Sequence, residues 1–162
     1  MKLVFSMLFL ALGIGCSSNQ RLMTPPRITA TGPVYRAAAV APETGDVVAF
    51  YFTLTDAEDV PVDVKVEMSR TPGVFVAVGA AGGGAFANGG DGVVGLTAPP
   101  QGRQHRLLWK PPAELTATDS VTFRLTPIEP EILPPPAPLP AVIGASVTAT
   151  AFTLSTLQAE PR

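Results

Sequence analysis

The chain has 162 residues with 15 glycines and 18 prolines, 11 basic against 13 acidic side chains and a net charge of −2. That length is enough for one domain with a real core, burying about 68–70% of its extended-chain surface. Arg and Lys stand singly, which excludes the clustered cations that nucleic acid requires.

Residues 1–15 read as a secretion leader: Lys2, an apolar run from Leu3 to Ile14, then the small Gly15. The run is shorter than the ~20 residues an ordinary membrane-spanning helix needs. Its ending, Leu12-Gly-Ile-Gly-Cys16-Ser-Ser-Asn, resembles the lipobox of bacterial lipoproteins, departing from it in placing Leu12 one position early. The resemblance implies cleavage before Cys16 and acylation of that residue, hence a membrane partner through a lipid anchor. Ser17 after the cysteine resembles the sorting pattern for the outer membrane. Cys16 is the chain's only cysteine, so no disulfide forms within it. Residues 16–26, polar and ending in Pro-Pro, form a tether.

The folded domain is expected over residues 27–157. Residues 27–31 form a short first strand stopped by Gly32-Pro33, and 34–40 are strand or coil. Residues 46–69 hold the two clearest strands. Val48, Phe50, Phe52 and Leu54 alternate with Ala49, Tyr51 and Thr53, and Val62, Val64, Val66 and Met68 alternate with Asp63, Lys65, Glu67 and Ser69. Pro72-Gly73 turns the chain into a strand over 74–78. The Gly-rich residues 79–92 have little to pack and are expected to be a mobile loop; with no Lys-Ser or Lys-Thr after the glycines, they do not suit nucleotide phosphates. Residues 93–97 form a short edge strand.

Further on, residues 103–109 put His105, Leu107 and Trp109 on one side, with the only tryptophan as the largest core side chain. Residues 120–126 place Val121, Phe123 and Leu125 inward. Residues 127–140 hold seven prolines and should project as an extended polyproline stretch. Residues 145–157 return as the last strand, and 158–162 fray. Short strands separated by turn signals describe an all-β antiparallel sandwich.

Several landmarks carry a second resemblance. They are Gly45-Asp46-Val, Phe50-Tyr-Phe-Thr-Leu-Thr-Asp56, the strand ending at Ser69, Gly90-Asp-Gly-Val-Val-Gly-Leu-Thr97, Gly102-Arg-Gln-His-Arg-Leu-Leu-Trp109 and Asp119-Ser-Val-Thr-Phe-Arg-Leu-Thr-Pro127. In this order they resemble the immunoglobulin-like, fibronectin type III-like modules of bacterial secreted and surface proteins. Lys110-Pro-Pro departs from the Asp usual after the tryptophan, and the proline stretch from a short hairpin. The resemblance implies a β-sandwich and no particular activity, because such modules serve as spacers, adhesion units and binding faces.

Chemistry has few candidates. His105 is the only imidazole, no Gly-x-Ser-x-Gly elbow exists, and His105 in register with Leu107 and Trp109 reads as a partly buried histidine bonded to a turn. The chain is therefore read as non-enzymatic, without cofactor or zinc. Asp56, Glu58 and Asp59 crowd one turn, with Asp63 and Asp91 as further oxygens. They are the calcium candidates, although the Asp-x-Asp-x-Asp-Gly spacing is absent. In the proline stretch Ile132, Leu133, Pro135, Pro138 and Leu139 are candidate contacts for a protein partner, since a preformed polyproline ridge loses little entropy on docking. The expected role is a structural or protein-interaction subunit of a cell-envelope assembly. The alternative is an adhesion or carbohydrate-binding module, with Tyr35, Tyr51 and Phe75 as the rings that could meet a sugar.

Overall fold

Alternation of β-branched and aromatic residues with polar ones gives each strand one face to bury, and ten strands result among the described residues. The computed structural model describes residues 23–39, 41, 45, 47–130 and 140–161. In chain order they are β1 (Arg27–Ala37), β2 (Val47–Thr55), β3 (Asp63–Thr71), β4 (Val74–Ala77), β5 (Ala85–Phe86), β6 (Arg103–Lys110), β7 (Ser120–Glu129), β8 (Val142–Ile143), β9 (Val147–Thr148) and β10 (Phe152–Thr153). A single 3₁₀ turn, Leu154–Thr156, follows; there is no α-helix among the described residues.

The strands form two antiparallel sheets packed as a sandwich. The first runs β1-β2-β6-β5, the second β10-β7-β3-β4, with β8 and β9 also paired to β7. Between them lie Phe50, Phe52 and Leu54 of β2, Val64, Val66 and Met68 of β3, Leu107 and Trp109 of β6, and Phe123 and Leu125 of β7, all buried. The faces expected from alternation are those observed. Phe123 is the hub: its ring lies 5.3 Å from Phe50 and 5.1 Å, edge to face, from Trp109. A smaller cluster of Ala37, Val47, Ala49 and Leu108 is buried on the outer side of the first sheet. β2 is thus covered on both faces at its start.

Six local expectations need correction. Gly32-Pro33 does not stop β1. The register slips between Thr31 and Val34 as a bulge absorbs the pair, and the missing Cβ at Gly32 admits Tyr51, whose Cβ would stand 2.8 Å from one built there. The Gly-rich residues are docked, not mobile: Ala85–Phe86 pair with β6, Ala87 N–H donates to Leu108 O (2.9 Å), and Asp91 N–H donates to Arg106 O (2.8 Å). Glycine serves close approach there, since a Cβ at Gly90 would sit 2.8 Å from Arg106 O. Residues 93–97 form no strand beyond an isolated bridge between Leu96 and Val62.

The proline stretch begins later than expected, because β7 continues through Pro127 to Glu129. Val64 N–H points away from β7, to Val93 O (2.8 Å), so Pro127 faces β3 at a pair that needs no proline N–H, and its carbonyl accepts from Gly144 N (2.9 Å). The last expected strand is broken into β9, β10 and the 3₁₀ turn. Finally, residues 158–160 do not fray: Gln158 O accepts from Arg36 N (2.8 Å) and Glu160 N donates to Arg36 O (3.0 Å), a short parallel addition to the β1 edge.

Candidate functional site

Four polar clusters and one open edge carry the chemistry of the described surface. On the outer face of the first sheet, the alternation that turns His105 and Leu107 inward turns Arg106 outward, opposite Tyr51 of β2. The guanidinium grips Glu160 with two bonds, Nε to Oε1 (2.6 Å) and Nη2 to Oε2 (2.5 Å), while Nη1 donates to Gly89 O (2.9 Å). The Tyr51 hydroxyl donates to the same carboxylate. Hydrogen bonding from Arg106 holds the Glu160 carboxyl below the usual carboxylate range, and burial together with Glu160 pushes the Tyr51 hydroxyl up. Beside this knot Tyr35 meets Tyr51 edge to face, with Pro33, Gln104 and Pro161 around them.

His105 is 3% exposed and bonded at both nitrogens: Nε2 to Thr97 O (2.8 Å) and Nδ1 to Asp91 Oδ2 (3.2 Å). Asp91 Oδ2 also accepts from Arg106 N (3.0 Å). This is the turn-bonded histidine expected from the sequence, with neither ring nitrogen turned to solvent. Its work is to fasten the Gly-rich edge and the loop before β6 to the core.

The acidic turn is ordered by bonds to backbone amides. Asp56 is buried and its Oδ2 accepts from Glu58 N (3.1 Å) and Val60 N (3.0 Å), an Asx-type turn. Glu58 Oε1 accepts from Thr24 N (3.2 Å), tying the residues before β1 to this turn. Asp59 has φ +55°, the left-handed region that Asp tolerates. Asp63 accepts instead from Gly95 N (2.8 Å), and Asp91 belongs to His105. No group of three or more His, Cys, Asp or Glu gathers in metal-binding geometry among the described residues.

On the outer face of the second sheet, Glu67 and Arg124 stand opposite each other on β3 and β7 and bond at 2.9 Å. Lys65 joins Glu67 at 3.0 Å, and the Arg124 guanidinium lies 4.0 Å from the centre of the Phe75 ring. Arg124 holds the Glu67 carboxyl below its ordinary range. A shallow hollow of about 280 Å³ opens beside Phe75, bordered by Ser69, Arg70, Ser120, Thr122 and Thr148. β4 itself pairs with β3 on one side and with no other strand among the described residues. Its residues are Val-Phe-Val-Ala, and Val74 is 58% exposed.

Cys16 and the candidate contacts Ile132, Leu133, Pro135, Pro138 and Leu139 lie outside the described residues. Of the three rings singled out, Tyr35 and Tyr51 are brought together, while Phe75 stands on the opposite sheet beneath Arg124. The Arg106–Glu160 knot was missed because residues 158–162 carry no strand pattern; the outward phase of Arg106 was the only signal available. No family model, curated protein or solved structure matches this chain.

Proposed function

We propose that this chain is a non-enzymatic lipoprotein of the bacterial cell envelope, held at the outer membrane through lipid on Cys16, whose sandwich serves as a structural or protein-interaction subunit of a larger assembly. The sandwich is of the immunoglobulin-like, fibronectin type III-like type. Strand order supports that assignment: β1-β2-β6-β5 corresponds to A-B-E-D, and β10-β7-β3 to G-F-C with β4 as the added C′ strand.

The observation that carries the interaction reading is β4. Natural edge strands are blunted by charge, proline or a covering element. β4 carries neither charge nor proline within Val74–Ala77, and no strand covers it among the described residues. Its backbone is suited to accept an extended strand from a partner envelope protein, with Val74 and Phe75 setting the side-chain fit. The test is to crosslink native membranes and capture the tagged chain. A stoichiometric protein partner is the expected outcome; recovery of the chain alone would contradict it.

A second reading, adhesion through carbohydrate, is favoured by the hollow beside Phe75. Hydroxyls of Ser120, Thr122 and Thr148 with the Arg70 guanidinium supply the polar groups a sugar needs, although Arg124 already stacks on the Phe75 ring. Glycan arrays separate the two readings.

A further inference from the structure

The outer face of the first sheet carries a hollow of about 320 Å³ lined by Pro33, Tyr35, Tyr51, Gln104 and Pro161. The two tyrosine rings meet at 6.2 Å and 80°, so their faces form a corner and not a flat wall. Proline rings from two separate segments already line it. The Tyr51 hydroxyl is committed to Glu160, but the Tyr35 hydroxyl and the Gln104 carboxamide make no hydrogen bond to another described residue. Aromatic walls with free side-chain donors are what a polyproline II helix requires, because its rings pack on aromatic faces and its carbonyls have no internal partners.

We propose that this hollow binds a polyproline II segment, and that the segment is residues 134–140, Pro-Pro-Pro-Ala-Pro-Leu-Pro, of a second copy of the chain. The reach of the chain excludes its own segment. Residues 130–141 leave and return at Glu129 and Val142, which pair in register where β7 meets β8. That base lies beside the start of β1: a Cβ on Gly144 would stand 2.0 Å from Pro26 O. Tyr35 is seven residues along β1 from Ile28, about 23 Å at ~3.3 Å per residue. Twelve residues that must go out and back extend about 19 Å from their base at ~3.1 Å per residue, short of Tyr35. A second copy has no such limit, and across a two-fold axis each copy's hollow receives the other's segment.

The full chain in detergent, followed by sedimentation equilibrium and by NMR titration with a synthetic peptide of residues 129–141, tests this directly. Self-association that the peptide reverses is expected, with shifts at the Tyr35 and Tyr51 rings. Gln104→Ala, at an exposed position, should weaken association by about tenfold, and Tyr35→Phe should weaken it in the same direction, as loss of a hydrogen bond does. Replacing Pro135 and Pro138 by Ala in the peptide should abolish its effect. Unshifted tyrosine rings at millimolar peptide, or association unchanged by both substitutions, would overturn the proposal. A monomeric chain that binds the peptide would overturn the second copy as occupant. Each of these outcomes is independent of the β4 edge, so partner capture by crosslinking can succeed where this fails.

Discussion

Glu160 reaches across the outer face of the first sheet to close a two-bonded ion pair with Arg106, and this fixes a segment that composition marks as a loose end. The backbone bonds at Arg36 and the carboxylate knot act together: one sets the register of the segment, the other its side-chain direction.

The pH dependence follows from the direction of the Glu160 shift. Its folded-state carboxyl is depressed, so its contribution is full above the ordinary carboxylate range, about pH 4–5, and is lost as pH falls through the lower folded value. Glu67 acts in the same sense. Glu160→Gln should cost about 1–2 kcal/mol at neutral pH and flatten part of the acid limb. Urea midpoints for both proteins from neutral pH downwards check it; parallel curves would show that the pair contributes nothing.

Trp109 fills the centre of the core and its Nε1 donates to Gly83 O at 3.0 Å. Trp109→Ala should cost about 3–5 kcal/mol in chemical denaturation. Because the indole also holds the Gly-rich edge, hydrogen exchange at Ala87 and Asp91 should rise even under conditions where the variant stays folded.

Glycines of the docked edge are not equivalent. At Gly84, φ is +72° and a Cβ would stand 2.5 Å from both Lys110 O and Trp109 Nε1, whereas at Gly82, φ is +82° with nothing within 4 Å. Gly82→Ala should cost about 1–2 kcal/mol from backbone conformation alone. Gly84→Ala should cost clearly more, and equal losses in thermal unfolding would show that the edge is not tightly packed.

Lipidation is tested at its one atom. Cys16→Ser should accumulate as an uncleaved precursor that incorporates no labelled palmitate. Normal maturation of that variant would remove the anchor from the account.

Much of the sandwich was legible because β2, β3, β6 and β7 each bury one face, and period-two alternation reports that directly. What failed to show was set by contacts distant in sequence. Gly32-Pro33 reads as a stop, yet a bulge accommodates it against Tyr51. The glycines of residues 79–92 read as freedom, yet they permit close approach to β6, a role that depends on the neighbour and not on the segment. Residues 158–160 owe their order to Arg36 and Arg106, more than fifty residues away in the chain. Of the candidate site, the turn-bonded His105 was legible from its phase. The pairing of Tyr35 with Tyr51 was not, because it depends on the register of β1 against β2.

The most direct measurement of the interaction role is site-specific photocrosslinking in living cells from position 74 at the open β4 edge, with position 94, which is 74% exposed and outside every strand, as the comparison. A discrete protein adduct from position 74 and none from position 94 is the expected result. Equal labelling from both, or none from either while the chain is correctly anchored, would contradict a strand-accepting subunit.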